Sequence, residues 1–241
     1  MGASGEIDDA PLDASPFRTV PPPAPAATGS TIVDLRRLLA QRFPQPPIVS
    51  SPRTLTGLSA LDQATGGGLP KGAITELTSP NISAGSALLI STLLQVAHRE
   101  RRFLALIDGR DSFDPQPLGN ACLRHLLWIR CTKASDAIKA ADLLLRDGNF
   151  PLVILDLVLN STDELRKIPQ TSWYRLQRLV EPMPTAFLVL TRHSMISSAQ
   201  WKLLLENNWK LRDLQRDDCL AEVNFQVIRA HAGRQQMAET G

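Results

Sequence analysis

The chain has 241 residues, enough for one well-buried domain with some tail and short for two. Hydrophobic residues make up 43% and charged residues 21%, ordinary for a soluble globular protein, and no run approaches the ~18 apolar residues of a membrane span. Formal net charge is +2; without the first 30 residues, 25 basic and 20 acidic side chains leave +5, a weak basic balance that permits nucleic-acid contact without arguing for it.

Residues 1–30 are poor in large apolar side chains and rich in Pro, Ala and Ser, with the run Pro21-Pro22-Pro23-Ala24-Pro25. This composition predicts a disordered leader with extended polyproline character. It has no basic start followed by an apolar stretch, so no signal peptide is expected and the cytoplasm is the default location. In residues 31–43, Ile32, Leu35, Leu39 and Phe43 recur every three to four positions, which predicts a short amphipathic helix. Pro44, Pro46 and Pro47 stop it and open a linker to about residue 53. Such a helix can dock on a partner, on a neighbouring subunit or on its own domain. With 48–51 it is the candidate for a homo-oligomer contact.

From about residue 54 strands and helices alternate. Strands are expected at Ala73–Thr78, Phe103–Asp108, Leu126–Cys131, Leu152–Leu159 and Ala186–Thr191. Helices are expected at Ser86–Arg99, after a Ser135 cap up to Gly148, after the capping box Ser161-Thr162-Asp163-Glu164, at Thr171–Val180 and at Ser198–Leu205. Two late strands near Lys210–Gln215 and Val223–Ala230 close the domain, and residues 235–241 form a tail. Such an order predicts an α/β fold with a mostly parallel sheet and helices on both faces. With only 5% aromatic residues, aliphatic side chains must fill its core.

Chemistry-bearing residues are sparse. Cys122, Cys131 and Cys219 lack CxxC spacing and read as reduced structural thiols. His98, His125, His193 and His231 are scattered, with no i, i+4 pair beside a carboxylate, so no metal site is expected. A working phosphate loop reads G-x-x-x-x-G-K-[ST] between strand and helix; its backbone N–H groups cradle phosphates, its Lys meets the terminal charge and its hydroxyl holds Mg²⁺. At that place the chain reads Pro80-Asn81-Ile82-Ser83-Ala84-Gly85-Ser86-Ala87. Pro80 stands for the first Gly, Ser86 for the Lys and Ala87 for the Ser/Thr. Gly85 and the small Ser83 and Ala84 keep the loop's form. Lys71 precedes the strand, on the wrong side to substitute.

Three segments together resemble RecA-family cores. They are Thr56-Gly57-Leu58-Ser59-Ala60-Leu61-Asp62 with Gly66-Gly67-Gly68-Leu69-Pro70-Lys71-Gly72 ahead of the first core strand, Leu106-Ile107-Asp108-Gly109-Arg110-Asp111-Ser112-Phe113-Asp114-Pro115, and Leu152-Val153-Ile154-Leu155-Asp156. The resemblance spans about 54–234 and implies a RecA-like, P-loop-type fold. In the family's "D-A-E-x-x-x-D-P" segment the Glu activates water; Arg110 stands there, and a guanidinium accepts no proton. Asp111 is one residue off register. Asp156 matches the Walker B position, which the family uses toward Mg²⁺. Arg192 replaces a Gln that senses the γ-phosphate.

Without the Lys and the base, hydrolysis is not expected, because phosphoryl transfer depends on positioned charge. No ATP or Mg²⁺ cofactor is therefore assigned. The degraded loop, the chain size and the ending Val227-Ile228-Arg229-Ala230-His231-Ala232-Gly233-Arg234 resemble the ImuA group. That resemblance implies a non-catalytic accessory protein of the SOS response and translesion synthesis, with a Y-family polymerase homologue and RecA as partners. Arg192, His193, Arg229 and Arg234 are the candidate DNA phosphate contacts. Trp173 and Tyr174 can stack bases or pack in a core. Two alternatives stand beside this reading: a divergent DNA-dependent ATPase and a SulA-type division inhibitor.

Overall fold

The computed structural model describes residues 52–81, 85–206 and 225–230, all within the compact unit Val49–Gly241. The leader, the helix over 31–43, the strand near Lys210–Gln215, the tail, and residues Ser83, Ala84 and Arg234 lie outside the described residues.

The chain enters through two short antiparallel strands, β1 (Arg53–Thr54) and β2 (Leu69–Pro70), joined by helix α1 (Ser59–Ala64). Asp62 turns back to accept from the backbone N–H and the hydroxyl of Thr56, at 2.9 and 2.7 Å, which closes this entry turn. Gly68 sits at φ 113°, and a Cβ there would lie 2.4 Å from the carbonyl oxygen of Thr54, so only Gly fits.

The main sheet follows: β3 (Ala73–Thr78), β4 (Leu104–Asp108), β5 (Leu126–Arg130), β6 (Leu152–Asp156), β7 (Ala186–Thr191), β8 (Trp201–Leu205) and β9 (Phe225–Ala230). The spatial order is β5-β4-β6-β7-β3-β8-β9, parallel throughout except for β9 against β8. The helices are α2 (Ser86–Arg99), α3 (Asn120–Leu123), α4 (Ala134–Asp147), α5 (Thr162–Arg166) and α6 (Gln170–Val180).

The inner strands are apolar on both sides because both faces are covered. Leu104, Leu106, Ile154, Leu188 and Leu190 pack with Leu61 of α1 and with Leu89, Ile90, Leu93 and Leu94 of α2. Their neighbours Ala105, Ile107, Val153, Leu155, Phe187 and Val189 pack on the opposite face with Ala137, Ala141, Leu144 and Leu145 of α4, Leu165 of α5 and Trp173 and Leu176 of α6. This is the α/β fold the alternation predicts, and it is RecA-like in architecture.

Several local expectations need correction. Ser198–Leu205 is not a helix: Trp201–Leu205 is a strand beside β3, with Thr75 opposite Trp201 and Leu77 opposite Leu203. Leu203 and Leu205 are buried at period two, and pairing with β3 outweighs the helical propensity of the segment's Lys and Leu residues. Ser135 is not the cap of α4. Lys133 holds that position, and the carboxylate of Glu164, from α5, accepts from the Ala134 N–H instead. The strand expected over Leu152–Leu159 ends at Asp156, where the chain turns into the next loop. Trp173 is fully buried, so it serves the core and is out of reach of bases.

A charge is buried within the sheet. Glu76 of β3 is completely buried. One carboxylate oxygen accepts from the N–H groups of Met195 and Ile196, at 2.7 and 3.0 Å. The other accepts from the Ser194 hydroxyl at 3.1 Å and pairs with Lys202 of β8 at 3.0 Å. Breaking one half of such a pair leaves the other charge poorly solvated. Glu76→Ala is expected to lower unfolding free energy by about 3–5 kcal/mol, and Glu76→Gln by less. Urea denaturation monitored by circular dichroism measures both.

Candidate functional site

In a parallel sheet the strand ends where the chain leaves for its helices all lie along one edge, and ligands of such folds bind there. Along this edge lie Thr78 and Ser79 after β3, Asp108 ending β4, Asp156 ending β6 and Thr191-Arg192 ending β7. Gly85 adopts φ 101° and stands at the N-cap of α2, and its carbonyl accepts from Leu89 N–H at 2.9 Å. This left-handed turn is the part of a phosphate loop's geometry that the described residues retain. Ser86, at the Lys position, is buried with 7% exposure, whereas Ala87 and Pro80 are exposed. Lys71 lies before β3 and therefore at the far end of a six-residue strand, ~20 Å away.

Asp108 is buried and fully engaged. Its two oxygens accept from the N–H groups of Arg110, Ser112 and Phe113 at 3.3, 2.8 and 2.8 Å, and from the Ser112 hydroxyl at 3.3 Å. The carboxylate thus organises the turn 109–113 and seats Phe113 edge-on against Trp128, with ring centroids 5.5 Å apart. No role was expected for Asp108; a strand-end Asp followed by Gly-x-x-Ser is the available signal.

The residues at and next to the family's base position pair with residues at the end of β5, the outermost strand. The Arg110 guanidinium donates to the Thr132 carbonyl at 3.1 Å. Asp111 sits at φ 54° and forms a two-point ion pair with Arg130, one contact at 2.7 Å. Arg130 in turn stacks 5.0 Å above the Trp128 ring. The hydrogen bond from Arg130 holds the Asp111 carboxyl below the usual carboxylate range. A carboxylate so paired is a weak proton acceptor.

Asp156 reaches its place at the end of β6, directly across from Asp108 in register. One oxygen accepts from Val158 N–H at 3.0 Å. Burial, with the Asp108 charge nearby, raises its pKa to about 6, against the pull of the Val158 hydrogen bond. Among the described residues no cluster of three His, Cys, Asp or Glu side chains could hold a metal ion. A Walker B aspartate contributes to Mg²⁺ binding only together with the phosphates and a loop hydroxyl, and Ala87 supplies none.

A clamp behind these carboxylates ties three loops together. The Asn160 side chain is buried; its amide donates to the Gly109 carbonyl at 2.9 Å and to Glu164 at 3.2 Å. Glu164 also caps α4 at Ala134. A Cβ on residue 109 would lie 2.5 Å from Asn160 Oδ1 and 2.7 Å from the Asp156 carbonyl. The RecA-family pattern has Ala at this place, so Gly109 is what lets the loop after β6 close on the loop after β4. The spacing patterns that reveal catalytic motifs carry no signal for this clamp.

Of the candidate DNA contacts, Arg192 is exposed and His193 half-buried at the end of β7; Arg229 of β9 donates to the Ser197 carbonyl at 3.4 Å. The structure therefore brings Arg229 to the loop that begins with Arg192 and His193. Among the described residues no helix is long and apolar enough to cross a membrane.

Two substitutions test this account. Gly109→Ala is expected to cost about 1–3 kcal/mol through overpacking, read from the midpoint of urea unfolding. For Asp156 the folded-state pKa lies above the unfolded one, so its ionisation destabilises the fold. The wild-type chain should lose stability as pH rises from about 4 through about 6. Asp156→Asn is expected to be more stable at pH 7.5 by about 1–3 kcal/mol, with the difference vanishing near pH 4. Thermal unfolding of both proteins across that range reads it.

No family model matches the chain. It is 32% identical to protein RecA of Frankia alni over 117 residues, 47% of this chain and 33% of that protein. It is 33% identical to protein RecA of Chlorobaculum parvum and 36% identical to that of Clavibacter michiganensis subsp. michiganensis, each over 107 residues, 43% of this chain and 30% and 29% of theirs. The chain thus spans about a third of the length of the curated relatives it matches. Partial similarity to bacterial RecA and the strand order described above together make this a RecA-like protein at the level of fold and superfamily.

Proposed function

We propose that the chain is a non-catalytic accessory protein of the DNA-damage response, a RecA-like adaptor in SOS-induced translesion synthesis. It acts by binding a Y-family polymerase homologue, RecA or both. The observation that carries this reading is the commitment of the strand-edge charges to internal partners. Asp108 holds its own turn, Asp111 is paired with Arg130, and Arg110 is turned onto Thr132. Ser86 and Ala87 supply neither the cation nor the metal ligand of a phosphate loop. Similarity to RecA supports the placement in DNA repair. The ImuA-like ending and the degraded loop support the finer assignment. Weak contact with DNA phosphates through Arg192 and Arg229 is compatible with this role, because such contacts need only positioned cations.

Titration calorimetry of Mg·ATP, with and without single-stranded DNA, followed by a phosphate-release assay, tests the non-catalytic part. No saturable heat at roughly millimolar nucleotide, weaker than about −4 kcal/mol of binding, and no phosphate release are expected. Saturable binding with turnover would overturn it. Ser86→Lys with Ala87→Thr is expected to gain nucleotide binding without hydrolysis, because the base position remains Arg110. Pull-downs with the purified polymerase homologue and with RecA test the adaptor part, and retention of neither would remove it.

A further inference from the structure

Helices α4 and α6 lie side by side on one face of the sheet. A groove of about 350 Å³ runs between the two helices. Ile138 contributes aliphatic surface to it above the buried Leu176, and Leu143 stands on its edge. Helix α4 already buries Ala137, Ala141, Leu144 and Leu145 against the sheet, so its core face is complete without Leu143. Leu143 is 68% exposed, more than any other large hydrophobic side chain among the described residues. One exposed leucine is ordinary on a protein surface. Here it borders a groove that also carries a specific charge pattern.

That pattern centres on Asp142. Arg146, one helical turn on, reaches it with Nε at 2.8 Å. Arg175, from α6, reaches it with Nε at 2.7 Å and a second nitrogen at 3.1 Å. Two guanidiniums share one carboxylate, so one positive charge is left over. Each guanidinium has five N–H donors and uses only some of them here. The arginine side chains stay 52% and 61% exposed while Asp142 is only 17% exposed, so the cations face outward and the anion faces in. Lys139 adds a further cation to the lining; its partner Asp136, at 3.0 Å, is exposed, and such pairs exchange readily with other ligands.

We propose that the groove between α4 and α6 docks an acidic amphipathic peptide segment of a protein partner, with an aliphatic anchor beside Leu143 and carboxylates on Arg146, Arg175 and Lys139. The charge left over on the groove wall is complementary to carboxylates, and the aliphatic lining is complementary to the anchor. A nucleic acid would leave Ile138 and Leu143 uncovered, so a peptide fits better. The proposal rests on the adaptor reading only in taking the partner to be a protein.

The test is fluorescence anisotropy on the full chain with two labelled helical probe peptides. One carries leucine and glutamate at i, i+4 spacing; its twin has lysine for every glutamate. The acidic probe is expected to bind saturably and at least about tenfold more tightly than its twin. Leu143→Ser and Arg175→Ala are each expected to weaken it about fivefold or more, with Arg175→Lys retaining part of the affinity. Thermal unfolding of the variants, expected to stay within a few degrees of the parent, separates lost binding from lost folding. Equal binding of the twins, indifference to both substitutions, or displacement of the probe by a single-stranded oligonucleotide would overturn the proposal. Because neither the polymerase homologue nor RecA is in this experiment, its failure would leave the adaptor reading to the pull-downs, and failed pull-downs would leave the groove standing.

Discussion

A carboxylate with no solvent exposure inside a sheet must be satisfied by hydrogen bonds, and Glu76 is satisfied four times over. Two backbone N–H groups, a hydroxyl and a lysine ammonium converge on it. Its partners come from the loop after β7 and from β8, both remote in sequence. Satisfying one buried charge therefore sets where β7 ends, how the loop 192–200 folds and where β8 lies beside β3. Gln200 adds to the same constraint: its side chain accepts from Ile74 N–H at 2.7 Å, and its own N–H donates to the Ile74 carbonyl at 3.1 Å. An apolar residue in place of Glu76 would suit the sheet core and would leave this loop without its anchor.

The loop so fixed carries the basic residues at the β7 edge, and α6 holds it from the other side. Gln170 donates to the Met195 carbonyl and accepts from the Ser197 hydroxyl. Farther along the same edge, Asn160 and Glu164 lock the loops after β4, β5 and β6 to one another. Ligand-dependent switches draw on loops of low local stability. This edge is instead tied by side chains belonging to the chain itself. Within this closure Asp108 is buried, whereas Asp111 stays exposed in its pair with Arg130.

Much of the scaffold is legible in the residue order. Continuous apolar runs such as Leu152-Val153-Ile154-Leu155 mark strands covered on both faces, and Gly148 marks the end of α4 through its left-handed φ of 69°. Ser161 accepts from Glu164 N–H at the start of α5, as the capping box predicts. Local preference misleads where long-range pairing overrides it. Trp201–Leu205 contains good helix formers, yet the open edge of β3 recruits it as a strand. Ser135 is a good cap by type, yet Glu164, thirty residues away, takes that function.

The altered phosphate-loop and base positions are properties of the sequence alone, because Ser86 and Ala87 lack the cation and the hydroxyl, and Arg110 the proton acceptor, whatever their surroundings. The alternation of elements from β3 to β7 likewise follows from local periodicity. What the remaining polar groups do was decided only in three dimensions. Asp111 became half of an ion pair, Asp108 a turn anchor, Trp173 a core residue, and Glu76 the fixed point of the sheet. Hydrogen bonds and burial depend on neighbours brought from up to 126 residues away, and no local pattern encodes which neighbours those will be.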